Sequence, residues 1–170
     1  PAHSMQESLF RIIAHRGASA VAPENTLAAL AAAVEMGARE VETDVQLTAD
    51  GHLVLCHDEH LERYGHGPKR MQEMTLAELA RLDFGSWFGA EFAGERILRL
   101  EELLDYRDSS LTYHIELKGH LKGHQPRLPA VVCALLTQRS LWDRCVITSF
   151  ALPMLQSVRQ LSPKARLGWL

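Results

Sequence analysis

Apolar and polar positions alternate most strictly over 40–47, where Val41, Thr43, Val45 and Leu47 interleave with Glu42, Asp44 and Gln46. A period of two is that of a β-strand with one apolar and one polar face. Short apolar runs at 11–15, 53–57, 113–118, 145–150 and 165–170 predict further strands. Between them the period lengthens. Leu27, Leu30, Ala31 and Val34 fall at i, i+3, i+4 and i+7 behind Pro23-Glu24-Asn25-Thr26, and Gly37 ends that helix. Thr75 with Glu78 makes a capping box, and Met74 with Leu79 a hydrophobic staple. Helices are also predicted at 100–107, at 126–139 (stripe Leu128, Val131, Val132, Leu135) and at 151–161.

Residues 59–95 are rich in glycine, histidine and charge and read as a small insertion. Its aromatic-glycine segment, Asp83 to Gly89, reads as a packed loop, with Trp87 and Phe88 as packing or lid residues. The runs at 40–47 and 53–57 are separated only by the turn Ala49-Asp50-Gly51. A parallel crossover needs about a dozen residues or more, so these two runs are expected to pair antiparallel, or to be one barrel strand with a short excursion.

Strands alternating with helices predict repeated βα units and a parallel sheet. His15-Arg16, Asp44, His57 and Glu116-x-Lys118 all lie at the C-terminal ends of their runs. That is where a (β/α)8 barrel of the TIM type keeps its active site. An open doubly wound sheet would place ligands there as well, but the Gly-rich phosphate loop of nucleotide-binding folds is absent from this sequence.

Composition narrows the partners. With 170 residues, 46% of them hydrophobic, and a net charge of −3, the chain suits one sizeable core and carries no basic footprint for nucleic acid. No apolar run reaches the roughly 18 residues of a membrane span, so no stable membrane insertion is expected. Cys56, Cys133 and Cys145 lie in apolar runs, which predicts buried, reduced thiols and a cytoplasmic address. Residues 1–10 read as a tag remnant and lead-in without a charged-then-apolar leader, although a removed signal peptide would leave periplasmic or secreted locations open.

Candidate chemistry begins with Glu42 and Asp44. Two residues apart on a strand, they point the same way with Cα atoms about 6.6 Å apart, a spacing at which two carboxylates can converge on one hard divalent cation. A solvated strand face is the plainer reading of the same pattern.

The ordered set His15-Arg16-Gly17, Pro23-Glu24-Asn25-Thr26, Glu42-x-Asp44, His57-Asp58 and Glu116-x-Lys118 resembles the glycerophosphodiester phosphodiesterase family. The likeness continues through Leu61-x-Arg63, the 82–88 loop, Gly94-Glu95-Arg96-Ile97 and, more loosely, Ile147-Thr148-Ser149-Phe150. The resemblance implies a (β/α)8 barrel over 11–170 with an insertion near 59–95. It implies hydrolysis of glycerophosphodiesters to sn-glycerol 3-phosphate and an alcohol, in glycerophospholipid breakdown, with one divalent cation (Mg2+ or Ca2+). It assigns Glu42, Asp44 and Glu116 to the metal, His15 and His57 to acid/base catalysis, and Arg16 and Lys118 to the phosphate. It also implies attack by the substrate's own glycerol hydroxyl, through a cyclic phosphate.

Those residue types suit the chemistry. Attack on a phosphodiester builds negative charge that a cation, a planar guanidinium and an ammonium can stabilise. Imidazole, which ordinarily changes charge near neutrality, suits both proton transfers. Lys118 has the simpler option of pairing with Glu116, Asn25 of capping its helix, and Glu24 of supporting the site from behind. His60, His66, His114, His120 and His124 read as surface residues.

Six barrel-like strands fall short of eight. They predict a domain incomplete at its C-terminus, truncated before the last two βα units, or completed by another copy in a homo-oligomer. Two other functions remain open: a lysophospholipase D-like enzyme, using the aromatic 84–92 loop, and a non-catalytic phosphodiester-binding module.

Overall fold

The computed structural model describes residues 10–106, 110–119 and 125–170. In chain order the elements are β1 (Ile13–His15), α1 (Leu27–Glu35), β2 (Glu40–Leu47) and β3 (Leu53–Leu55). Then come α2 (Leu76–Leu79), α3 (Leu100–Leu104), β4 (Thr112–Leu117), α4 (Leu128–Gln138), β5 (Cys145–Ser149), α5 (Leu152–Leu161) and β6 (Arg166–Trp169). The strands β1-β2-β4-β5-β6 lie side by side in that order, every neighbouring pair parallel. This is the βα repeat of a TIM-barrel-type fold.

The hydrophobic run at 53–57 behaves differently. β3 pairs antiparallel with the end of β2, Val45 opposite Leu55, and leaves the path of the parallel sheet. The short Ala49-Asp50-Gly51 turn dictates this, with Gly51 at φ +85°. All six strands read from the sequence are present among the described residues; five are parallel, and the run at 53–57 pairs antiparallel, as the short turn before it leads one to expect. A closed barrel of this type has eight parallel strands, against the five among the described residues. The apolar side chains of Phe10 and Ile12, just before β1, of Phe150, just after β5, and of Trp169, the last residue of β6, are exposed.

The main core joins the sheet's Val41, Val45, Tyr113, Ile115 and Ile147 to helical residues such as Leu100, Leu103, Val132, Leu136 and Val158. A second core lies within the insertion, where Leu61, Tyr64, Met71, Leu79 and Phe84 pack on Val54 and Cys56 of the β3 run. The insertion thus rests on the strand that precedes it, which fixes its position over one end of the sheet.

Two helix faces are turned by about one residue from the predicted stripes. α1 buries Ala29, Leu30 and Ala33, while Leu27 is exposed. The small alanines are needed because the loop after β1 crosses this face: Ala18 N–H donates to Ala29 O at 2.9 Å. α4 buries Leu128, Pro129, Val132, Cys133 and Leu136. The capping box at Thr75 and Glu78 is formed, and Gly37 ends the first helix in the left-handed conformation. The three cysteines are buried and unpaired, and among the described residues no helix is long and apolar enough to cross a membrane.

Candidate active site

β2 sits at the centre of the site. It pairs with β1 and β4 in a register that sets His15 opposite Glu42 and Asp44 opposite Glu116. Neighbouring parallel strands lie about 4.8 Å apart, so side chains from adjacent strands at one level converge. Oxygen atoms of Glu42, Asp44 and Glu116 indeed all lie within 4.8 Å of one another. Asp44 and Gln46 are fully buried, so the polar face of β2 is turned to the inside of the fold and is not a solvated surface.

Two cations close on these carboxylates. Arg16 Nε lies 3.1 Å from Asp44 Oδ2, and Lys118 Nζ lies 2.9 Å from Asp44 Oδ1. Lys118 also donates to Glu116 Oε1 at 2.7 Å, so the simpler pairing foreseen for it does form. Burial alone would raise the Asp44 carboxyl's pKa, but Lys118, Asn25 and Arg16 outweigh it and hold it low. Burial alone would lower the Lys118 ammonium's, but Asp44 and Glu116 raise it.

Glu42 is the contrast. Its Oε2 accepts the Arg16 backbone N–H at 3.1 Å, and its Oε1 is buried without a hydrogen-bond partner among the described residues. Burial, then the neighbouring Asp44 charge, push its pKa up to about 8. A buried carboxylate oxygen left without a donor, beside two further carboxylates, is what a divalent cation would satisfy. The donor set is all oxygen, which suits Mg2+ or Ca2+ and not a thiolate-seeking metal.

The backbone that brings Arg16 to Asp44 is held in an uncommon shape. Arg16 and Asn25 have φ of +59° and +57°, and Gly17 follows at +82°. Such conformations cost about 1–3 kcal/mol each in non-glycine residues and persist where the surroundings over-determine them. Here Asn25 N–H donates to Arg16 O at 3.0 Å, closing the loop on itself.

His15 ends β1, with Nε2 3.8 Å from Glu42 Oε2 and most of its ring exposed. His57 follows β3; the residue before it, Cys56, donates its N–H to Asp44 O at 3.1 Å. Its Nδ1 meets Asp58 Oδ1 at 2.7 Å. All seven residues singled out from the sequence are therefore at one end of the parallel sheet.

Residues 15–170 match the glycerophosphoryl diester phosphodiesterase family. The chain belongs to that family. The Bacillus subtilis (strain 168) protein YhdW is 44% identical over 152 residues, covering 89% of this chain and 62% of that protein. A glycerophosphodiester phosphodiesterase of Caldanaerobacter subterraneus subsp. tengcongensis is 39% identical over 160 residues, covering 94% of this chain and 65% of that one. Among solved structures, an Oleispira antarctica phosphodiesterase in complex with the product sn-glycerol-3-phosphate superposes with a TM-score of 0.87 at 36% identity. That match covers 94% of this chain and 65% of the other. The chain thus spans just under two thirds of the length of each of these relatives.

Several residues around these carboxylates read differently in the structure than in the sequence. Asn25 does not cap α1; Thr26 does, accepting from Ala29 N–H. Asn25 instead binds Asp44 and Thr43 from the side. Glu24 supports the site as foreseen, accepting from Arg16 at 3.1 Å and also from Arg63. Gln46 was overlooked: its Nε2 donates to the carbonyls of Cys56 at 2.8 Å and Asp58 at 3.0 Å, pinning the loop that carries His57. So was Gln125, whose amide both donates to and accepts from the Leu47 backbone at the end of β2. A polar residue on the inward face of a strand is the signal for Gln46; nothing local marks Gln125.

Of the histidines expected at the surface, His60 is exposed, and His120 and His124 lie outside the described residues. His66 instead reaches the Asp83 carbonyl at 2.6 Å, and His114 is largely buried against Glu40 at 2.7 Å. Trp87 packs edge-on to Tyr64 and donates to Phe84 O, the packing option for that loop.

Proposed function

We propose that this chain carries the site for divalent-metal-dependent hydrolysis of glycerophosphodiesters to sn-glycerol 3-phosphate and an alcohol, a step of glycerophospholipid breakdown. The carrying observation is the convergence of Glu42, Asp44 and Glu116 within 4.8 Å, flanked by Arg16 and Lys118. Relatives bearing this activity in their names, and one solved with sn-glycerol-3-phosphate, support the same reading.

In this reading Glu42, Asp44 and Glu116 would hold the cation, whose positive charge stabilises the charge that builds on the phosphoryl oxygens. Arg16 offers its free donors to a phosphate oxygen while Glu24 and Asp44 fix its plane. Lys118 adds a compact positive charge on the other side of Asp44. His57 works through Nε2. An ionised carboxylate only accepts, and burial of Asp58 is outweighed by the Arg63 and His57 hydrogen bonds that hold its pKa low. The His57 proton therefore sits on Nδ1, and Nε2 is free to take or give one. His15, more exposed, serves as its partner in the second proton transfer. Together they deprotonate the attacking hydroxyl and protonate the leaving alkoxide. The attacking group proposed is the substrate's own glycerol hydroxyl, whose attack expels the alcohol and leaves a cyclic phosphate. Water then opens the ring to sn-glycerol 3-phosphate, the same two histidines, in reversed roles, deprotonating the water and protonating the departing ring oxygen.

A non-catalytic binding module remains the alternative from another class. It has no use for the pair His15 and His57. A lysophospholipase D-like activity would need an apolar groove beside the site; the aromatic loop instead spends Trp87 on Tyr64 and Phe88 on Phe92. The test is release of glycerol 3-phosphate from glycerophosphocholine with Ca2+, Mg2+ or EDTA, beside His15→Ala and His57→Ala. Cation-dependent release, lost in both variants, is expected; tight ligand binding with no release would support the binding module instead.

A further inference from the structure

Arg63 lies in the insertion, on a single 3-10 turn over Glu62–Tyr64, and belongs to none of the strands that build the site. Its guanidinium nevertheless joins two parts of that site. Nε donates to Asp58 Oδ2 at 2.6 Å, and Asp58 Oδ1 faces His57 Nδ1 at 2.7 Å. Nη1 and Nη2 donate to the two oxygens of Glu24 at 3.0 and 2.5 Å, and Glu24 Oε2 also accepts from Arg16 Nη1 at 3.1 Å. Nη2 further reaches the Tyr64 hydroxyl at 3.1 Å. The plane of the guanidinium is fixed from outside as well, 4.9 Å from the Trp87 ring and 5.0 Å from the Tyr64 ring.

We infer that Arg63 is a positioning residue for the proposed reaction, fixing the His57 ring through Asp58 and the Arg16 guanidinium through Glu24 with one planar fork. The inference rests on the phosphodiesterase reading above. Its physical basis is the geometry of the donor. A guanidinium can bind one carboxylate through two nitrogens and a second through the third, whereas an ammonium is a point charge that cannot hold both in fixed planes. Glu24, with a side chain only 9% exposed, needs such partners. With Arg63 gone its charge would fall to Arg16 alone and draw that guanidinium off Asp44. Asp58, its side chain 27% exposed, would be free to turn away from His57.

The competing role is a staple: Arg63 on Trp87 and Tyr64 would merely hold the insertion together. The two roles predict different kinetics. A staple lost leaves fewer competent molecules, so kcat falls and KM does not change. A positioning residue lost disturbs both a proton-transfer group and a phosphate-binding group, so kcat falls and KM rises.

The experiment compares Arg63→Met, Asp58→Asn, Glu24→Gln and the two doubles containing Arg63→Met, in the full chain on glycerophosphocholine. We expect Asp58→Asn to lower kcat and Glu24→Gln to raise KM, with Arg63→Met doing both, each by about tenfold or more. Residues that act as a unit are not additive, so neither double should fall beyond its worse single variant in the affected constant. Arg63→Lys, which keeps charge and stem but not the fork, should lose the same activity and guards against a folding defect in the methionine variant. In substrate-free protein labelled at histidine, the 15N shifts of His57 should report one Nδ1-protonated tautomer in wild type and a mixture in Arg63→Met. An unchanged KM with multiplying effects in the doubles, or unchanged His57 shifts, would overturn the inference. Absence of turnover in wild type would instead sink the phosphodiesterase reading, and the shifts would still decide whether Arg63 governs His57.

Discussion

Asn25 grips Asp44 by both ends of its amide: Nδ2 donates to Asp44 Oδ2 at 2.9 Å, and Oδ1 accepts the Asp44 backbone N–H at 3.2 Å. The same Oδ1 takes the Thr43 hydroxyl at 2.8 Å, so the amide cannot flip without losing all three bonds. Asp44 is thereby held with one oxygen on Asn25 and Arg16 and the other toward Lys118.

Replacing Asn25 by Asp should test this grip. The substitution keeps shape and tolerance of the left-handed φ, but removes the only donor and sets a second negative charge against Asp44. Loss of such an outer partner typically costs about 10–100-fold in metal affinity or activity. We expect a loss in that range in kcat/KM for glycerophosphocholine, with the folded structure retained by circular dichroism. Full activity in Asn25→Asp would mean that Asp44 needs no such support.

Asn25 also marks how far the sequence could be read. The β2 pattern was legible because a strand's period puts Glu42 and Asp44 on one face whatever the fold. The convergence of Glu116 with them was legible only through family likeness, since it depends on β2–β4 register. Asn25 looked like a helix cap because its chemistry and position fit one; the cap went to Thr26 instead. The antiparallel pairing of 53–57 was legible from the short turn before it, because a parallel crossover needs about a dozen residues; the apolar run alone carries no information about direction. The stripes on α1 and α4 were displaced because periodicity locates a face only to within about one residue, and a crossing loop decided the rest.

Gly17→Ala should unfold the protein more easily. Gly17 sits at φ +82°, and an added Cβ would meet Ala29 backbone carbon at 2.7 Å and Ala29 Cβ at 2.8 Å. Backbone strain of about 1–2 kcal/mol and overpacking of about 1–3 kcal/mol act together at this point. Urea unfolding should therefore show a loss of about 2–5 kcal/mol. A loss below about 0.5 kcal/mol, the usual scale of a surface change, would contradict the close approach of this loop to α1.

Asp83 should give the aromatic loop a pH dependence. Hydrogen bonds from the backbone N–H groups of Ser86, Gly94 and Gly85, and from the Ser86 hydroxyl, hold its carboxyl well below the usual carboxylate range. A folded-state pKa below the unfolded one adds stability that is present above the unfolded value, about 3.9 for Asp, and is lost as pH falls through the folded value. The wild-type melting temperature should exceed that of Asp83→Ala near neutral pH, and the gap should narrow as pH falls below about 4. A gap that stays constant with pH would show that the carboxylate's charge is not what holds the loop.

We propose that Glu42, Asp44 and Glu116 hold a cation and thereby make this a site for a glycerophosphate group. It is tested most directly by calorimetric titration of sn-glycerol 3-phosphate into the protein with Ca2+ or Mg2+ and again in EDTA, in wild type and Glu116→Gln. Binding is expected in wild type with a cation present, and its loss is expected both in EDTA and in the variant. Equal binding in EDTA, or undiminished cation-supported binding in Glu116→Gln, would contradict it.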